Sequence, residues 1–192
     1  MSESSFVIDT KTTALVLIDL QKGVIGREVA PHSASDVLSN AVRLAEAFRN
    51  VDAPVVLVRV SFGAADERVQ RPVDLQWPMA APPAGWDEIA PDLGPMAGDI
   101  VVTKRQWGAF YGTALDLHLR RRGIETIVLG GIATSIGVES TARDAFEHNY
   151  GLILVEDAMA DMSAEAHAFT VAQIYPRIAL VRSTNQVIEA IG

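Results

Sequence analysis

Two charged side chains stand directly after apolar runs. Ala14-Leu15-Val16-Leu17-Ile18 ends at Asp19, and Ile100-Val101-Val102 leads through Thr103 to Lys104. A carboxylate at the end of a buried strand is costly unless it is paired or put to use. Asp19 therefore reads either as a general acid–base group with a raised pKa or as a carboxylate that caps a turn or pairs with a cation. Structural ion pairs outnumber catalytic acids, so the residue alone favours the second reading. Lys104 can hold Asp19 in its charged form or stabilise a developing oxyanion; its plainer role is a lysine reaching from a strand end to water. Gln21 adds a polar side chain at the same rim.

The third element is the small-residue run Gly130-Gly131-Ile132-Ala133-Thr134-Ser135-Ile136-Gly137. It joins a strand to a helix, and the N–H groups of a helix start are unpaired donors that receive a carboxylate or oxyanion without any side chain. This places Ile132, Ala133, Thr134, Ser135 and Ile136 in the candidate substrate-binding set. The run matches neither phosphate-loop pattern, and its plain alternative is a tight strand–helix joint. Trp107, Phe110 and Tyr111, set around Gly108 and Gly112, can wall a pocket for a planar ring, pack under a loop or cover a subunit contact.

Other chemistry finds less support. The chain has no cysteine, which removes disulfides and every thiolate mechanism. His32, His118, His148 and His167 show no ligand spacing, and no HxxxH or HExxH pattern exists, so neither a metal nor a cofactor is expected. Ser135 and Ser140 lack a nucleophile elbow, and a serine nucleophile ranks last. Arg120-Arg121-Arg122 falls at a helix C-terminus, where the dipole favours cations.

These groups need a scaffold. Strands are expected at 14–18, 54–60, 100–104, 126–129, 152–155 and 178–181. Helices are expected at 35–50 (Ser35 as N-cap), 113–122, 136–149, 163–174 (closed by Pro176) and 184–191. Alternating β and α with short connections predicts an α/β fold, a three-layer α/β/α sandwich on a six-stranded parallel sheet of order 3-2-1-4-5-6. In that order the first and fourth strands flank the reversal point, where ligands bind beyond the carboxyl ends. Residues 61–98 carry six prolines with Trp77 and Trp86 and read as a long binding loop or lid within one domain spanning 1–192. The net charge of −8 argues against nucleic acid and anionic membrane as partners. The polar, acidic start shows no signal peptide, and a cytoplasmic location is expected.

With these residues placed, the chain resembles the isochorismatase-like hydrolases over nearly its whole length. The likeness rests on Asp19-Leu20-Gln21, on Lys104 with Gly108-Ala109-Phe110-Tyr111-Gly112-Thr113, and on the run from Gly130 to Ala145. It implies the same six-stranded fold, a homo-oligomer (dimer or tetramer) and a small-molecule substrate. It implies that Asp19 and Lys104 are the first two members of an aspartate–lysine–cysteine triad, with Gly137 standing at the cysteine position. It also implies a non-proline cis peptide at Ile132–Ala133 that turns an N–H into the crevice. The metal-binding histidines of nicotinamidases have no counterpart between Arg59 and Arg71. Isochorismatases likewise carry glycine for cysteine and cleave a vinyl ether by protonation, but have a histidine near the turn where this chain reads Thr134-Ser135-Ile136. Two functions follow as expectations: a thiol-free hydrolase of a small, anionic substrate (vinyl ether or C–N/C–O bond), or an inactive ligand-binding member of the family.

Overall fold

The computed structural model describes residues 6–62, 72–75 and 82–191. Its centre is one sheet of six parallel strands, β1 (Thr13–Ile18), β2 (Val55–Val60), β3 (Ile100–Lys104), β4 (Thr126–Ile132), β5 (Gly151–Ala160) and β6 (Leu180–Arg182). Their order is β3-β2-β1-β4-β5-β6, as the alternation of elements predicts. β1 is buried along its whole length, as a central strand of a parallel sheet must be. Its side chains alternate between two cores. Leu15 and Leu17 meet Val37, Ala41, Leu44 and Phe48 of helix α2 (Ala34–Asn50) together with Val187 and Ala190 of α6 (Thr184–Ile191), while α1 is the short turn Lys22–Ile25. Ala14, Val16 and Ile18 meet α3 (Leu115–Arg120) and α4 (Glu139–Glu147) on the opposite face.

Several boundaries differ from the sequence expectation, each for a local reason. Ser33, not Ser35, caps α2: its Oγ accepts from the Asp36 N–H at 3.1 Å. β4 does not stop at Leu129 but runs through both glycines to Ile132. Gly131 makes this extension feasible. Its φ is +123°, and a Cβ there would lie 2.1 Å from the Ile18 carbonyl oxygen, so the ends of β4 and β1 close together only without a side chain. β5 likewise continues past Val155 to Ala160, with a register shift against β4 opposite Leu129–Gly131. The helix expected at 136–149 is split into a π-helical turn, Thr134–Val138, and α4. The one expected at 163–174 becomes α5 (Ala164–Phe169), a second π-helical turn (Thr170–Ile174) and a 3-10 turn that takes in Pro176.

The described end of the long connection returns to the strand β1 exit. Ile89 bridges Gln21, and the Trp86 ring lies where any side chain on Gly23 would stand, 1.8 Å from its Cβ position. Trp77 lies outside the described residues. Among those residues no helix is long and apolar enough to cross a membrane.

Candidate functional site

Asp19 leaves β1 through an unusual backbone conformation for a non-glycine residue, with φ +54°. Its N–H continues the sheet by donating to the Val58 carbonyl at 2.8 Å, and its own carbonyl accepts from the Gln21 N–H at 2.9 Å. The left-handed turn takes the side chain out of the strand's alternation and under the Lys104 ammonium. Lys104 Nζ lies 2.7 Å from Asp19 Oδ2, and both side chains are nearly closed off from water. The same ammonium donates to the carbonyls of Gln106 at 3.1 Å and Trp107 at 2.8 Å. Its three donors thus have three acceptors.

Asp19 is less well served. Its Oδ1 is buried and finds no hydrogen-bond partner among the described residues. Burial pushes its pKa up, the Lys104 charge and hydrogen bond push it down, and burial wins, leaving it raised to about 6.

Gly137 faces this pair. A Cβ at Gly137 would stand 3.1 Å from Ile18 Cγ2, 3.3 Å from Asp19 Oδ2 and 3.5 Å from Lys104 Nζ. The π-helical turn sets this aim. After the Ile132–Ala133 peptide, which is cis, the Ala133 carbonyl accepts from both Ile136 and Val138 N–H at 3.1 Å. The wider turn is held from outside. Ser135 N–H donates to Asp161 Oδ2 at 2.6 Å, and Tyr175 Oη donates to the Thr134 carbonyl at 2.8 Å. Thr141 Oγ1 donates to the Gly137 carbonyl at 2.7 Å and accepts from the Ala109 N–H at 3.1 Å, which ties the Lys104 loop to the turn.

The other candidates divide. Ile132, Ala133, Thr134 and Gly137 are buried in or beside the turn, with Ser135 and Ile136 partly open. The Ser135 N–H is already engaged by Asp161, a partner that nothing local in the sequence suggested. Gln21 is fully buried, and its side-chain amide pairs with Val60 like a strand neighbour, Nε2 to the carbonyl at 2.9 Å and Oε1 from the N–H at 2.8 Å. It fixes the β2 exit against the β1 exit. The three aromatics do not share one wall within the chain. Phe110 is buried, stacked 5.1 Å from His148 and tilted against Tyr150, while Trp107 is 55% and Tyr111 79% exposed. A cavity of about 150 Å³ opens beside the β2 exit against Ser61, Phe62, Trp86 and Asp87; its lining does not include Asp19, Lys104 or Gly137.

A second polar cluster lies behind the turn. Thr134 Oγ1 bonds His167 Nδ1 at 2.8 Å, and His167 Nε2 lies 3.1 Å from Glu156 Oε1. The same oxygen takes His32 Nε2 at 2.7 Å. Burial works to raise the Glu156 pKa, but the two imidazole contacts outweigh it and leave the carboxyl below its ordinary value. Chain distance hid this cluster: its members come from the segment entering α2, from the irregular part of β5 and from α5. The one usable signal was Glu156 itself, a carboxylate directly after the apolar run Leu152–Val155.

Comparison with known proteins places this architecture. Residues 13–186 match the isochorismatase domain family. The chain is 49% identical over 185 residues to the isochorismatase family protein YecD of Escherichia coli O157:H7, covering 96% of this chain and 98% of that one. It superimposes on an isochorismatase family protein of Burkholderia thailandensis with a TM-score of 0.92 at 43% identity, over 98% of this chain and 99% of the other. N-carbamoylsarcosine amidase of Thermoplasma acidophilum gives a TM-score of 0.73 at 32% identity, over 91% and 97%.

Proposed function

The chain belongs to the isochorismatase family, and from that premise we propose a hydrolase that works without a thiol on a small anionic substrate bound over Gly137. Asp19 is the acid–base group, Lys104 holds and tunes it, and Gly137 stands where the family's cysteine would be. The observation that carries this reading is the Asp19 carboxyl itself. It is buried, its pKa is raised to about 6, one oxygen has no hydrogen-bond partner among the described residues, and a side-chain-free position faces it. About one carboxyl in ten is then protonated at neutral pH, the condition a general acid needs.

For a vinyl ether the step is direct. Asp19 gives its proton to the terminal alkene carbon, and the electron pair of the C=C bond forms the new C–H bond. The resulting oxocarbenium ion takes up water at the ether-bearing carbon, loses a proton back to Asp19, and collapses to a carbonyl compound and an alcohol. Lys104, 2.7 Å away, stabilises the carboxylate left after the first transfer. Substrate or the attacking water approaches Asp19 past Gly137, where even a Cβ would lie 3.1 Å from Ile18 Cγ2, so its room comes from displacement of neighbouring side chains. Backbone N–H groups around Ala133 and Gly137 receive the substrate's carboxylate or a developing oxyanion. A C–N substrate is supported by the likeness to N-carbamoylsarcosine amidase; on such a substrate the ionised Asp19 takes a proton from water as its oxygen attacks the carbonyl carbon, and gives that proton to the nitrogen as the C–N bond breaks. Exposed Trp107 and Tyr111 near the Lys104 loop support an assembly of like subunits.

The test is a panel of vinyl ethers, ureido acids and small amides turned over by the parent chain and by Asp19→Asn. Loss of activity by 10²-fold or more in Asp19→Asn, with substrate still bound, is the expected result. Unchanged turnover rejects Asp19 as the acid.

A second reading, ligand binding without turnover, is favoured by the missing nucleophile. Gly137→Cys separates the two. Amidase or esterase activity gained by the variant, against none in the parent on the whole panel, supports a decommissioned thiol hydrolase; clear parent turnover rejects it.

A further inference from the structure

His32, Glu156 and His167 each offer one ligand atom, and these atoms lie within 4.8 Å of one another. We propose that they form a binding site for a divalent transition ion of the zinc type, separate from the Asp19–Lys104 crevice. Two imidazoles and one carboxylate are a recurring zinc donor set, with a water in the fourth position. Imidazole donors select zinc and its neighbours over magnesium or calcium, which prefer all-oxygen shells.

The geometry is close to what the ion needs. Ligand atoms about 2.1 Å from a tetrahedral ion stand about 3.4 Å apart. Glu156 Oε1 now lies 2.7 Å from His32 Nε2 and 3.1 Å from His167 Nε2, so these two pairs spread by about 0.7 Å and about 0.3 Å to reach that spacing. Both contacting imidazole atoms are Nε2, and loading the site replaces the protons shared with Glu156 by the ion.

Two further features fit. His167 is buried, and its other ring nitrogen is held by Thr134 Oγ1 at 2.8 Å, the kind of outer contact that fixes ring orientation and tautomer at metal sites. His32 and Glu156 are each about one-third exposed in their side chains, which gives the ion an entry path and a water for the open position. The ion would bridge three segments that only the fold brings together, and through His167 and Thr134 it would brace the turn that carries Gly137.

The test uses the full-length, untagged chain, stripped with a chelator and titrated with Co²⁺ alone and then with Zn²⁺ alone. The expected result is visible cobalt absorption saturating at one ion per chain, displaced by Zn²⁺, with a higher Tm in the presence of Zn²⁺. His32→Asn and Glu156→Gln each weaken Co²⁺ binding by tenfold or more, while His148→Asn binds as the parent does. The parent titration needs no variant to be informative: absence of saturable one-to-one binding overturns the proposal. So does tight binding that survives in both His32→Asn and Glu156→Gln.

Discussion

The crevice and the histidine cluster sit on either side of one turn, and they solve the problem of burying charge in opposite ways. In the crevice a lysine and an aspartate meet almost out of reach of water. The cation is fully served, the anion has an oxygen with no hydrogen-bond partner among the described residues, and a residue without a side chain packs against the pair. In the cluster a carboxylate about one-third exposed is shared between two imidazoles, one of them locked by a threonine hydroxyl. The first arrangement keeps an ionisable group in discomfort and so keeps it reactive. The second keeps its carboxylate comfortably ionised and ready to serve as a ligand.

Removing one partner from each region should widen this contrast. Lys104→Met strips the paired cation from a carboxyl closed off from water and is expected to cost about 3–5 kcal/mol at pH 8. The loss should shrink towards pH 5 as Asp19 takes up a proton, and denaturant unfolding at the two pH values measures it. A similar loss at both would mean that solvent reaches Asp19.

The titration of Asp19 itself comes next. Its pKa rises from 3.8 to about 6 on folding, so the folded chain retains a proton that the unfolded chain has released. This favours folding fully at pH below the lower value, and the benefit is lost as pH rises through the upper one. The span corresponds to about 3 kcal/mol. Stability curves of the parent and Asp19→Asn should therefore diverge in slope between pH 4 and 7, the variant lacking this fall. Parallel curves would place Asp19 in an ordinary aqueous environment. With catalysis, the parent's kcat/KM should fall about tenfold per pH unit above the same value, as expected for a required acid.

The smallest effect belongs to the cluster. Glu156→Gln keeps a hydrogen-bonding group of the same shape at a partly exposed site and should cost about 1 kcal/mol or less in metal-free buffer. A loss as large as that of Lys104→Met would erase the distinction between the two regions.

What could be read in the sequence follows the same division. Asp19 and Lys104 were legible because each follows an apolar strand on the same side of the sheet; their meeting across β2 depends on the left-handed turn at Asp19. Gly137 was singled out through the family resemblance, as the cysteine position at the end of the small-residue run between strand and helix. Gln21 was placed at the right rim, but its pairing with Val60 depends on the depth at which β2 exits, which residue types do not encode. The exposed positions of Trp107 and Tyr111 depend on how the 105–113 loop folds around the Lys104 ammonium. The split of the helix at 134–147 was hidden because an added residue in a turn leaves no mark in apolar periodicity. The cluster was illegible for a different reason: its spacing is set by the β5 irregularity and by α5, not by any local repeat.

Gly131 carries a consequence for how this scaffold can diversify. With its backbone pressed against Ile18, the base of the crevice has no slack and accepts no larger residue. New ligand preferences in such a protein have to be acquired in the connections overhead, around Trp86 and residues 105–113. The base stays fixed while the roof is rewritten.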